Sequence, residues 1–80
     1  MKKVNAWKAY YISHSLLADF QENGGFHTMI AEEMLFNNVI DFLENKKTEA
    51  ELLHDIEFDF GLKKKNLTKA IKNVKKNTEL

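Results

Sequence analysis

The residues of this chain with the clearest chemical potential are the lysines near its C-terminal end. Residues 61–80 contain seven lysines and one acid, whereas residues 19–60 contain eleven acids and two lysines. A cluster of ammonium groups attracts phosphate and other anions. All twelve basic residues are lysines, so the forked side chain of arginine, which makes paired hydrogen bonds to guanine, plays no part here.

Other reactive side chains lack the neighbours that catalysis or metal binding needs. Ser13 and Ser15 flank His14, but adjacent side chains on a helix point about 100° apart, so a nucleophile and its base would not meet. Glu51 and His54 form a single Glu-x-x-His unit, while di-metal bundles use two such units and further glutamates. The chain has no cysteine. We therefore expect a protein that is not an enzyme and that has no cofactor and no metal site.

The lysines fall within a recognisable sequence pattern. Its apolar and glycine positions are filled by Ile56, Phe60, Gly61, Leu62, Leu67 and Ala70. With these residues, the segment 53–72 resembles the helix-turn-helix pattern of DNA-binding regulators. The resemblance implies that the second helix of the pair faces DNA, with the lysines near phosphates and the short threonine near base edges. The DNA-facing residues would be Lys63, Lys64, Lys65, Thr68, Lys69, Lys72 and Lys76.

A second candidate surface is aromatic. Trp7, Tyr10 and Tyr11 lie so close together in the chain that they cannot all enter one core, so at least one should reach the rim of a core or an interface. The acidic residues between 19 and 60 would complement a basic partner. The alternative function is therefore a small helical protein-binding module or inhibitor that does not bind nucleic acid. A second copy of the chain is also a candidate partner, which predicts a homodimer.

These side chains must be positioned by a single small domain, residues 1–80. Apolar residues make up 44% of the chain and charged residues 30%, a balance that favours a packed core over disorder. The chain has no run approaching the roughly 20 apolar residues of a membrane span. We therefore expect a cytoplasmic protein with no membrane partner.

Helical periodicity predicts an all-α fold of four helices. The predicted ranges are about 4–22, 28–45, 48–60 and 64–77, with the first two helices forming an antiparallel pair and the last two a helix-turn-helix-like unit. Thr28 can cap the second helix, Thr48 and Glu51 form a capping box for the third, and Gly61 can end it.

Within the first helix, the apolar stripe predicted to face the core is aromatic. Its members are Val4, Trp7, Tyr11, His14 and Ala18, widened by Tyr10, Leu17 and Phe20. The stripe of the last helix is narrower and consists of Leu67, Ala70, Ile71 and Val74.

Two features of the sequence allow more than one interpretation. Residues 56–62 also alternate between apolar and polar types, which suits a β-strand, and Phe58 distinguishes the two because it fits only the strand's apolar face. Glu32 falls within the apolar arc of the second helix. It either forms a buried pair with His14 or His27, or lies in the helix's first turn, where a carboxylate reaches water and the positive end of the helix dipole.

Overall fold

This computed structural model describes residues 3–78 of the chain, with side chains described at residue 3 and at residues 5–74. Within this range the chain forms four helices. They are α1 (Lys3–Glu22), α2 (Met29–Leu43), α3 (Glu49–Phe60) and α4 (Lys64–Thr78). The predicted all-α fold of four helices is confirmed. The largest error in a boundary is at the end of α2, which stops two residues before the predicted end.

The predicted caps of α2 and α3 are present. Thr28 Oγ1 accepts a hydrogen bond from the Ala31 backbone N–H at 3.0 Å. At the start of α3, Thr48 Oγ1 accepts from the Glu51 N–H at 3.1 Å, and Glu51 Oε1 accepts from the Thr48 N–H at 2.9 Å. This hydrogen bond from the Thr48 backbone is the main reason why the pKa of Glu51 lies below its ordinary value. The cap therefore occupies Glu51 in a structural role.

The end of α3 settles the choice between helix and strand. Gly61 has a left-handed φ of 65°, and its N–H donates to Glu57 O at 3.0 Å. Leu62 N–H donates back to Ile56 O at 3.2 Å, and the Leu62 side chain is buried. This is the hydrogen-bond pattern of a glycine-terminated helix. The strand alternative for residues 56–62 is wrong, because Phe58 lies on the outer side of a helix and is 83% exposed.

The core is formed where α1 packs against both α2 and α4, and where α3 packs against α2. The short connection 23–28 makes α1 and α2 antiparallel neighbours. Two hydrogen bonds also tie α3 to α2: Lys47, between these helices, donates from Nζ to Asn38 Oδ1 and to Asp55 Oδ2. The most deeply buried large side chains are Leu16, Leu35, Val39, Leu52, Ile56, Leu62 and Leu67.

The centre of the predicted core stripe of α1 is wrong. Trp7 is 55% and Tyr11 41% exposed, and Ala18 is exposed too; the side chain of Val4 lies outside the described residues. Of the residues predicted to widen the stripe, Leu17 is buried and Phe20 packs against the core, whereas Tyr10 is exposed. The rest of the inner side consists of the small and aliphatic residues Ala9, Ile12, Ser13 and Leu16. Both sets have helical spacing, and the aliphatic set is the one that fits between two neighbouring helices. Aromatic content was therefore a misleading guide to which side of α1 is buried.

Candidate nucleic-acid interface

Helix α4 separates apolar and basic residues onto opposite sides. Leu67, Ala70 and Val74 are buried against the other helices, as predicted. The predicted DNA-facing residues with described side chains are all exposed: Lys63, Lys64, Lys65, Thr68, Lys69 and Lys72. The side chain of Lys76 lies outside the described residues. A basic face is thus held toward solvent by the packing of the apolar stripe.

A shallow, open depression runs along this face. Six α4 residues line it: Lys64, Lys65, Thr68, Lys69, Lys72 and Asn73. Among these described residues none is acidic, so four ammonium groups, a hydroxyl and an amide share one surface. Such groups donate hydrogen bonds to phosphate oxygens. We call this surface the α4 basic face.

One buried carboxylate attaches α4 to α1. Asp19 is 5% exposed. Its Oδ1 accepts from Lys69 Nζ at 2.9 Å, and its Oδ2 accepts from Asn66 Nδ2 at 3.1 Å. Across the described side chains, no buried polar atom lacks a hydrogen-bond partner. The two bonds offset the cost of placing a carboxylate away from water, and they connect elements far apart in the chain.

Asn66 also organises the start of α4. Its Oδ1 accepts from the Lys63 backbone N–H at 2.9 Å, while its Nδ2 reaches Asp19. Lys63 has no side-chain oxygen with which to cap a helix, so Asn66 satisfies one of the backbone donors at this end. The Asn66 side chain therefore caps the start of α4 and also holds α4 against α1.

Lys69 contributes to two features of the molecule. It belongs to the α4 basic face, yet its ammonium group is paired with Asp19, and the hydrogen bond to Asp19 raises the pKa of Lys69 above its ordinary value. Glu22 also adds a weaker electrostatic effect in the same direction. Part of the positive charge of Lys69 is thus already balanced, and the unpaired charge of the face comes from its neighbours.

Helices α3 and α4, predicted to form a helix-turn-helix-like unit, carry opposite charge, and they pack mainly against other helices, α3 against α2 and α4 against α1. In α3 the exposed side chains include Glu49, Glu51, Glu57 and Asp59. A polyanion would be repelled by this side of α3 and attracted to α4. The connection between α3 and α4 is short, residues 61–63, and the charges of the two helices favour contact with a polyanion through α4 alone.

Glu32 has both of its predicted histidine neighbours, without the predicted burial. Its Oε2 lies 2.9 Å from His27 Nε2, and its Oε1 lies 3.4 Å from His14 Nε2. The Glu32 side chain remains 40% exposed and lies in the first turn of α2. The hydrogen bond with His27, aided by the charge of His14, lowers the pKa of Glu32. The interpretation in which Glu32 lies at the helix start and reaches water is therefore right, and the buried pair is wrong.

The remaining candidate chemical groups have ordinary structural surroundings. Ser13 Oγ donates to the Tyr10 carbonyl oxygen at 3.1 Å, and His54 is exposed beside Phe58. Among the described side chains, no group of three His, Cys, Asp or Glu residues is arranged to hold a metal ion.

The aromatic residues in the first half of α1 form a continuous exposed surface. The Trp7 and Tyr11 rings stack with their centres 5.7 Å apart, and the Tyr10 ring lies 4.2 Å from that of His14. Tyr10 also borders the groove that contains Met29 of α2. Met29 is 86% exposed. We call Trp7, Tyr10, Tyr11 and His14 the α1 aromatic face.

Sequence reasoning missed the two residues that position α4. Asp19 and Asn66 were counted only as parts of charged or polar segments. A signal was present for Asp19, since it follows Ile12 and Leu16 at helical spacing on the inner side of α1. An acid at such a position needs a partner, and the partner lies 47 to 50 residues further along the chain.

Comparison with known proteins adds no family to these observations. Within residues 3–78, no helix combines the length and apolar character needed to cross a bilayer. No protein-family model, curated protein or solved structure matches the chain.

Proposed function

We propose that this protein is a small non-enzymatic regulator that binds DNA through the phosphate backbone, using the α4 basic face. The observation that carries the proposal is the depression lined by Lys64, Lys65, Thr68 and Lys72 on one side of one helix. Lysine ammonium groups bind phosphates as point charges and release condensed counterions, which drives binding at low salt.

The composition of this face favours backbone contact over base reading. Without arginine, strong discrimination of guanine is lost. Thr68 is the short polar side chain best placed to approach a base edge, and a single hydroxyl discriminates weakly between bases. The acidic outer side of α3 would keep that helix away from the phosphates. We therefore expect DNA binding with strong salt dependence and modest sequence preference.

Fluorescence anisotropy with a labelled duplex, measured across a salt series, tests this function. For the protein, log affinity should fall with log salt with a slope of about −3 to −5, as expected for several phosphate contacts. The variant Lys64→Gln/Lys72→Gln removes two charges without touching the Asp19 contacts. It should weaken binding on the order of tenfold or more near 50 mM salt and make the slope shallower by about 2.

A matched control separates a local effect from a change of net charge. Lys46→Glu also lowers the net charge by two units, at an exposed site between α2 and α3. It should bind nearly as well as the unaltered protein. Equal loss in both variants would show that binding does not depend on the α4 basic face, and the absence of binding by the unaltered protein at low salt would refute the function.

The α1 aromatic face supports the second candidate function, a protein-binding module or inhibitor. Trp7 and Tyr10 are about half exposed, Tyr11 is 41% exposed, and Met29, which borders the same groove as Tyr10, is 86% exposed. Exposed aromatic clusters are typical of interfaces. This candidate predicts no loss of function in the Lys64→Gln/Lys72→Gln variant.

A further inference from the structure

Helix α1 carries a second apolar stripe on the side away from the core. Residues 7, 11, 14 and 18 follow each other at intervals of four, three and four. This is the spacing by which one helix packs along another. At 100° per residue, the stripe lies about half a turn from Ile12 and Leu16, which are buried. The four side chains concerned are exposed or partly exposed: Trp7, Tyr11, His14 and Ala18.

We propose that this stripe is the interface of a homodimer in which α1 packs antiparallel against α1 of a second copy. Helical spacing on the exposed side indicates that the occupant is itself a helix. A chain of this size also buries a smaller share of its surface on folding than a larger domain does, so association would add to its stability.

The charges at the two ends of the stripe favour a second copy of the chain as the partner, and they favour an antiparallel arrangement of the two α1 helices. The N-terminal end of the face carries Lys3, and its other end is bordered by Glu22 and Glu33. In a parallel pair, the lysines of the two copies would lie together. In an antiparallel pair, the basic end of each copy meets the acidic end of the other, twice, as two-fold symmetry requires.

The aromatic part of the stripe, formed by Trp7, Tyr11 and His14, is centred near Tyr11, and we place the symmetry axis there. Residues 7 and 14 are nearly equidistant from it, so Trp7 would meet the partner's His14. The Trp7 and Tyr11 rings already stack within one chain. This leaves fewer rotamers to be fixed on association, which lowers its entropic cost. Tyr11 would then contribute most to affinity, since it contacts its own counterpart.

Sedimentation equilibrium of the full chain tests the interface. Two variants place the same carboxylate at an exposed aromatic position: Tyr11→Glu in the stripe and Phe58→Glu on α3. We expect the unaltered protein and Phe58→Glu to dimerise equally. Tyr11→Glu should raise the dimer dissociation constant at least about tenfold, because two carboxylates would face each other at the axis, while circular dichroism shows unchanged helix content. A monomeric unaltered protein, or equal weakening by both variants, would overturn the proposal.

Single cysteines test the direction, since the chain has none of its own. Under mild oxidation, at concentrations where sedimentation shows each variant to be dimeric, Tyr11→Cys should form a disulfide-linked dimer. Ala18→Cys should not, because residues seven positions from the axis are about 21 Å apart in an antiparallel pair. Cross-linking at both positions would indicate a parallel pair, and failure at Tyr11 would place the interface elsewhere. Either result would contradict the proposed dimer.

Discussion

Asp19 and Glu32 are two carboxylates that each join separate elements of the molecule, and they do so in different surroundings. Asp19 is 5% exposed and accepts hydrogen bonds from Lys69 and Asn66 of α4. The Glu32 side chain is 40% exposed and lies near His14 of α1 and His27 of the following connection. Both sites link helices through charge, but water reaches only the second one freely.

This difference determines how much each site contributes to the fold. A buried carboxylate with two donors cannot exchange them for water, so loss of the network leaves groups unsatisfied and costs free energy. An exposed ion pair is screened, and its partners are rehydrated when it opens. The residue that looked unusual in the sequence, Glu32, therefore contributes less than one that did not. Asp19 is the carboxylate that positions the α4 basic face.

The largest expected effect follows from removing the buried carboxylate. Asp19→Ala should lower the free energy of unfolding by about 2 kcal/mol, because two hydrogen bonds to α4 are lost. The melting temperature, followed by circular dichroism, should fall by roughly 10 °C in a domain of this size. Glu57→Ala, which removes an exposed acid from α3, is the control and should change the melting temperature little. Equal losses of melting temperature in the two variants would mean that a buried carboxylate contributes no more to the fold than an exposed one.

An intermediate effect is expected from the amide that shares this network. Asn66→Ala removes the donor to Asp19 Oδ2 and the acceptor for the Lys63 N–H, while Lys69 continues to neutralise the carboxylate. We expect a loss of about 1 kcal/mol in urea unfolding. Asn73→Ala changes the same residue type at an exposed position of α4 and should be nearly neutral. A loss at Asn73 matching that at Asn66 would argue against the anchoring role.

The smallest effect concerns Glu32 and depends on pH. Because its pKa in the folded protein is below the ordinary value of 4.5, the ionised form stabilises the fold. This stabilisation is fully present above pH 4.5 and is lost as the pH falls through the lowered pKa. Above pH 4.5, the melting temperature of the unaltered protein should therefore exceed that of Glu32→Gln by a small amount. This difference should shrink as the pH falls below 4.5.

Glu33→Gln, next to it on the same turn, is the reference for that titration. The difference in melting temperature between the unaltered protein and Glu33→Gln should not shrink as the pH falls. A difference that grows toward acidic pH would reverse the inferred sign of the pKa shift and remove the stabilising role of the histidine contacts.

Local features of the fold could be predicted because they are encoded by neighbouring residues. The cap at Thr48, the glycine at the end of α3 and the apolar stripe of α4 each depend on a few positions within one or two turns. Phe58 shows the limit of periodicity alone: its alternation with polar residues suited a strand, and the capping signals on both sides gave the correct helix.

Features that depend on distant contacts could not be predicted in the same way. Helix α1 has two stripes with helical spacing, and only the positions of α2 and α4 determine that Ile12 and Leu16 face inward. Likewise, the exposure of Lys64 and Lys72 follows from the apolar spacing of α4, whereas the pairing of Lys69 with Asp19 does not. The candidate surface was therefore largely predictable, and its attachment to the rest of the molecule was not.

The Asp19 contact also has a kinetic consequence. Asp19 and Lys69 are 50 residues apart in the chain, whereas His27 and Glu32 are five residues apart. Contacts that close long loops form late in folding, after the local helices, because the entropy of closure is lost before the contact forms. Asp19→Ala should therefore accelerate unfolding in stopped-flow experiments and leave the refolding rate almost unchanged. The ion pair thus determines chiefly how long α4 stays docked once the protein has folded.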